Sequence, residues 1–233
     1  MWDTQVAELG RDHTVVRCDL RGFGGSPLAP GTSYSDAEDV LTLVDELRLL
    51  EFSVVASSYG GYVALQLASA APERVRRLVL VDPLAELAEP DQSLRGLWQE
   101  EERLVEAGDL DGATDLNVRA WLGPEADLNA RELVRTMQRD ALAAQVAAGE
   151  VDNRELPVTL ESLTMPVRLF VGLHDRAFFV EIANELARRL PDARLVELPW
   201  AGHLPSLERP AEMARLVRDA LGGTANTPGG GRH

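Results

Sequence analysis

Cysteine occurs once in the chain, at Cys18. A single thiol excludes a disulfide framework and a cluster of thiolate metal ligands. Within "HTVVRCDL" (His13–Leu20) it is expected to be a small buried apolar side chain, not a reactive thiol. Positive charge is scarce as well: 23 Lys and Arg stand against 38 Asp and Glu, a formal net charge of −15. Without a basic excess the chain lacks the means to displace counterions from nucleic acid or to dock on anionic lipid. No apolar run approaches the roughly 18 residues of a membrane span. No basic segment followed by an apolar one opens the chain in the manner of a secretory signal. The expected setting is cytoplasmic, and the expected partner is a small-molecule substrate, not nucleic acid or a membrane.

What remains is an ordinary globular composition, 45% hydrophobic and 26% charged over 233 residues, enough for one domain with a full core. "HTVVRCDL" reads as a buried strand running into the Gly-rich loop "RGFGGSP". Val40, Leu43, Val44, Leu47 and Leu50 recur at offsets of three and four, so a helix spans Ser35 to Leu50. "FSVVAS" (Phe52–Ser57) is a second strand, Gly60–Ala71 a helix apolar on nearly every face, and "RLVLVDP" (Arg77–Pro83) a third strand. From Leu84 to about Thr164 the composition turns to Glu, Asp, Ala, Leu and Arg. That stretch predicts several helices, broken at Gly108, Gly112 and Leu122–Asp127, and no convincing strand. Strands resume at Val167–Gly172 and Ala193–Leu198, with helices over about 178–190 and 211–221. The tail "GGTANTPGGGRH" is Gly-rich and expected to be disordered.

Buried strands alternating with helices imply an α/β fold, a mostly parallel sheet with helices on both faces. The helical stretch that interrupts the alternation is an insertion over one edge. The expected organisation is a core of residues 1–83 and 165–222, a helical cap over 84–164, and a tail over 223–233. Open parallel sheets bind ligands beyond the carboxyl ends of their strands, so chemistry is sought just after each strand.

In "VVASSYGG" two adjacent serines stand between a strand and a helix. A sharp strand-to-helix turn demands small residues two before and two after its tip. Ser58 has Ala56 and Gly60 there, whereas Ser57 has Val55 and Tyr59, so Ser58 is the exposed hydroxyl. The competing reading is a serine that merely caps the helix. The Tyr59 amide, at the helix N-terminus, is placed to donate to a developing oxyanion. A serine needs a base. His203, in "PWAGHLPSLERP" after the last strand, is the candidate; His233 is in the tail, His13 precedes the first strand, and His174 adjoins Asp175. Asp175, after "VRLFVG", would hold the imidazole, with Asp82 after "LVLV" as its competitor. Trp98 and Trp121 either line an apolar substrate pocket or pack the inserted helices on one another.

The order Ser, Asp, His at successive strand ends is that of α/β-hydrolases. The chain resembles the capped α/β-hydrolase family: "VVASSYGG" its nucleophile elbow, "VGLHD" its acid loop, "AGHLPSLERPAEM" its histidine loop and "VVRCDLRGFGGSP" its D-x-R-G-x-G-x-S loop. The resemblance implies Ser58 as nucleophile, Asp175 as acid and His203 as base, in the neighbourhood of enol-lactonases, non-haem haloperoxidases of the perhydrolase type and small carboxylesterases. It implies no metal and no organic cofactor. An alternative from a different class is a non-catalytic binding or interaction protein on the same scaffold. The family pattern also has strands and an H-G loop ahead of the segment resembling "WDTQVAELG", and that loop supplies a second oxyanion amide. No "HG" precedes Trp2 in this sequence. The expectation is impaired activity and unpaired strand edges at "HTVVRCD" and "FSVVAS".

Overall fold

The computed structural model describes residues 1–222, so the expected disorder of the tail over 223–233 lies outside the described residues. The elements in chain order are α1 (Asp3–Leu9), β1 (Ser33–Tyr34), α2 (Asp36–Glu46), β2 (Phe52–Ser57), α3 (Tyr59–Ala70), β3 (Val75–Val81), α4 (Gln92–Glu106), α5 (Leu110–Trp121) and α6 (Leu128–Ala148). They continue with β4 (Asp152–Asn153), β5 (Val167–Gly172), α7 (Ala177–Arg189), β6 (Ala193–Leu198), α8 (Pro205–Glu208) and α9 (Pro210–Ala220). The main sheet has four strands, all parallel, in the order β2-β3-β5-β6.

The pleat sends alternate side chains to opposite faces. Leu78, Leu80 and Leu169 enter the larger core, against Leu65 and Ala68 of α3 and Ile182 and Leu186 of α7. Val79, Val81 and Phe170 enter the second core, against Leu9 of α1 and Met213 and Val217 of α9. Helices therefore cover both faces, as the apolar strands required. Because all four strands run the same way, their carboxyl ends share one edge.

Between β3 and β5 the inserted segment forms α4, α5 and α6. Each starts on an aspartate cap: Asp91 accepts from Leu94 N, Asp109 from Gly112 N and Asp127 from Ala130 N. Gly112 is thus no helix break. It sits inside α5, where an added Cβ would collide with the carboxylate of Asp109 that caps the helix. The segment also contributes the two-residue β4, which pairs with β1 (Ser33 with Asp152, Tyr34 with Asn153) and ties the end of the insertion to the core.

The expected strand over His13–Leu20 does not form: residues 14–20 have no regular structure. Val15 packs on the second core, but Val16 and Cys18 are exposed, so the expectation of a buried cysteine fails with the strand. A β-branched run becomes a strand only when a neighbour takes its backbone hydrogen bonds. Among the described strands β2 pairs with β3 alone, and its other edge is open. The adjoining Gly-rich loop is well ordered by Asp19, whose carboxylate accepts from Gly25 N at 3.0 Å and whose carbonyl accepts from the Ser26 hydroxyl at 2.7 Å. No helix of the described residues is long and apolar enough to cross a membrane.

Candidate active site

Ser58 follows β2 and caps α3 with φ +51° and ψ −125°, a backbone conformation that L residues rarely adopt. Holding it costs about 1–3 kcal/mol, and local bonds impose it. Ser58 N donates to Val81 O (3.1 Å), and Ser58 O accepts from Gly61 N (2.8 Å) and Leu84 N (3.0 Å). The hydroxyl makes no capping bond to the helix. It lies instead 2.7 Å from His203 Nε2. That separates the two readings of the serine: a capping residue would turn its oxygen inward. The crowding at this turn falls one residue later than the sequence suggests. A Cβ at Gly60 would meet open space, while one at Gly61 would lie 3.0 Å from Pro83 Cβ and 3.1 Å from its Cα.

His203 Nδ1 is 2.7 Å from Asp175 Oδ2, and the two side chains are 5% and 1% exposed. With Nδ1–H donating to the carboxylate, Nε2 is the acceptor that faces the serine hydroxyl. Asp175 Oδ1 accepts from Arg176 N at 2.7 Å. Asp82 does not reach the imidazole in this way: its Oδ1 accepts from Gly172 N at 2.8 Å. Burial first, and then the charge of Asp175, push the Asp82 carboxyl well above its usual range.

The loop that carries His203 is gripped by backbone. His174 N donates to Ala201 O (2.9 Å) and His203 N to Trp121 O (3.0 Å). Gly202 N donates to both oxygens of the buried Glu208. Gly172, Gly202 and Gly123 touch through their backbones with no room for a Cβ at any of them. Gly172→Ala would drive a methyl into the carbonyl oxygens of Gly202 and Ala201. It is expected to cost about 1–3 kcal/mol of stability by overpacking and about 10² in kcat by moving the imidazole. A melt and an ester assay on the same preparation check both.

Aromatic rings enclose the imidazole. Phe179 lies tilted against it at 4.2 Å between centroids and Trp121, also tilted, at 4.9 Å. Trp98 is farther off, reaching His203 only through Phe178 and Phe179, and it is 40% exposed on a separate groove of about 700 Å³ with Glu101, Val105 and Leu142. Of the sequence candidates, Ser58, Tyr59, Asp175, His203 and Trp121 are thus brought together, and Trp98 stands apart. His174 and His13 are exposed.

Sequence reasoning missed Phe179, Glu208 and the anchorage of Tyr59. The Tyr59 hydroxyl donates to buried Asp36 Oδ2 (2.7 Å) and accepts from Asn153 Nδ2 (2.7 Å). Burial and then Asp36 raise its phenol far above the usual value. As the first residue of α3, Tyr59 has an N–H without an intrahelical acceptor. The adjacent pair Phe178–Phe179 and the glutamate of "SLERP" were the available signals.

The geometry invites comparison with known proteins. The chain is 30% identical to a pimeloyl-[acyl-carrier protein] methyl ester esterase of Neisseria meningitidis, across 99% of this chain and 75% of that one. It is 29% identical to a 2-hydroxymuconate semialdehyde hydrolase of Pseudomonas putida, across 89% of this chain and 76% of the other. Its structure superposes with a TM-score of 0.74 on the enol-lactonase of Burkholderia xenovorans, at 26% identity over 95% of this chain and 85% of that one. The sequence profile described as "Alpha/beta hydrolase family" matches residues 1–216, all but the end of the last helix and the tail. The chain therefore belongs to the alpha/beta hydrolase family.

Proposed function

We propose that the protein is a serine hydrolase that cleaves a carboxylic ester, thioester or lactone of a small molecule. The observation that carries this reading is the unbroken chain of 2.7 Å contacts from Ser58 Oγ through His203 to Asp175. Ser58 Oγ attacks the carbonyl carbon while His203 Nε2 takes its proton. Asp175 holds the imidazole in the required tautomer and stabilises the imidazolium. The carbonyl oxygen, now negative, accepts from Tyr59 N, aided by the N-terminus of α3. His203 returns the proton to the leaving oxygen or sulfur. A water then attacks the acyl-enzyme by the same route, and Ser58 is regenerated.

In this reading α4–α6 form a cap over the strand ends, with Trp121 lining the acyl site and Trp98 on the separate groove outside it. No metal or organic cofactor takes part in any step. Esterase and enol-lactonase relatives support the bond type. A fluorophosphonate probe tests the reading: one covalent label on Ser58, located by peptide mass analysis, is expected. A chain that takes up no label at Ser58, even on long incubation, would be a binding protein on a hydrolase scaffold.

A further inference from the structure

Asp82 is the acidic residue that the proposed mechanism leaves idle. It follows β3 at φ +44°, with a relative exposure of 0%. Its Oδ1 accepts from Gly172 N, but Oδ2 is buried without a hydrogen-bond partner among the described residues. Asp82, Asp175 and His203 each bring a polar atom within 4.8 Å of the others. The groups that bear on Asp82 are Asp175, on the loop after β5, and Glu208, in α8, both acidic. His203, after β6, is the basic member of the cluster, and its Nδ1 is already engaged by Asp175.

An ionised Asp82 would be a second carboxylate in a dry site with one imidazole to serve both. Two carboxylates that share such a site do not both ionise, and the proton stays on the one with fewer donors. Asp175 accepts from Arg176 N and from His203, whereas Asp82 accepts only from Gly172 N. A proton on Oδ2 also turns the unpaired acceptor into a donor, with the Asp175 carboxylate in the same cluster of polar atoms within 4.8 Å of one another.

We propose that Asp82 is a positioning residue: held as a neutral carboxylic acid, it donates a hydrogen bond from Oδ2 to the Asp175 carboxylate and through it sets the orientation and basicity of His203. The role assigned to His203 rests on the serine-hydrolase reading above. The bond draws charge from Asp175, which makes the imidazolium less favourable and keeps His203 a base at lower pH.

Asp82→Asn keeps the shape, an acceptor for Gly172 N and a donor for Asp175. In the wild type the folded carboxyl stays protonated while the unfolded one ionises near 3.8, so stability falls as pH rises past that value. The amide has no such loss. The melting temperature of Asp82→Asn is therefore expected to gain several degrees on the wild type between about pH 4 and pH 7. Its kcat/KM should stay within about threefold, with the acid limb of the pH profile unmoved. Asp82→Ala, which has no donor, should move that limb about half to one unit toward higher pH. Infrared difference spectra at neutral pH should show a protonated carboxyl in the wild type that is missing in Asp82→Asn, a readout that survives even if the alanine variant fails to fold. An Asn variant that loses stability relative to the wild type as pH rises, or whose acid limb moves to lower pH, would mean an ionised Asp82 in the wild type and would overturn the proposal. So would an alanine variant whose acid limb matches the wild type. The melting and infrared arms need no turnover, so they report on Asp82 even if Ser58 proves not to be a nucleophile.

Discussion

Replacing Ser58 with alanine is expected to lower kcat for a short p-nitrophenyl ester by about 10⁴–10⁶, the loss typical when a serine nucleophile is deleted. The expectation follows from what the hydroxyl does. It lies 2.7 Å from His203 Nε2, and the strained backbone that presents it is held by four hydrogen bonds. Alanine keeps the backbone, the Tyr59 amide and the rings around His203, so stability and substrate binding should change little while acyl transfer stops. Ser57→Ala is the internal control. Ser57 ends β2, pairs with Val81 across the sheet and belongs to no part of the hydroxyl–imidazole–carboxylate chain. Its loss should stay within about threefold. Comparable losses in the two variants would remove the distinction between them and with it the assignment of Ser58.

How far the sequence reaches is shown best at this pair of serines. The sequence sets Ser58 apart by its small residues two before and two after, and in the folded chain the Ser58 hydroxyl lies 2.7 Å from His203 Nε2, although the close packing falls at Gly61 and not at Gly60. The parallel core was legible because short runs rich in β-branched and apolar residues mark strands, and β2, β5 and β6 fall on the residues expected, although of these three only β5 is buried along most of its length. The inserted helices were legible as a group but their aspartate caps were not, and Gly112 was misread because a glycine near a cap looks like one that ends a helix. What depends on partners distant in sequence was hidden. The run at 14–20 has strand composition, yet composition supplies no neighbour to bond. Cys18 followed that error to the surface. The glycine contacts among Gly172, Gly202 and Gly123 join three loops that no spacing rule connects. Phe179 meets His203 only because α7 and the loop after β6 converge at the sheet's end.

The choice between Asp175 and Asp82 belongs to the same class, since both follow strands and both are aspartates, and mutation should divide them sharply. Asp175→Asn is expected to reduce kcat by about 10⁴, and Asp82→Asn by no more than about threefold. In the first variant the amide NH₂ can face His203 Nδ1, which then accepts in place of donating. The ring proton moves to Nε2 and points at Ser58 Oγ, so the nitrogen that should take a proton already carries one. The side chain keeps its size and can still accept from Arg176 N, so the melting temperature should fall far less than the activity. In the second variant the amide occupies a position where a neutral donor already fits, and the contact between His203 and Asp175 is untouched. Fluorophosphonate labelling should follow the same ranking, because acylation of Ser58 needs the same proton transfer. If Asp82→Asn were instead the crippled variant and Asp175→Asn the mild one, the carboxylate that serves His203 in solution would be Asp82. The loop after β5 would then have to adopt a different arrangement from the one that places Asp175 Oδ2 against the imidazole.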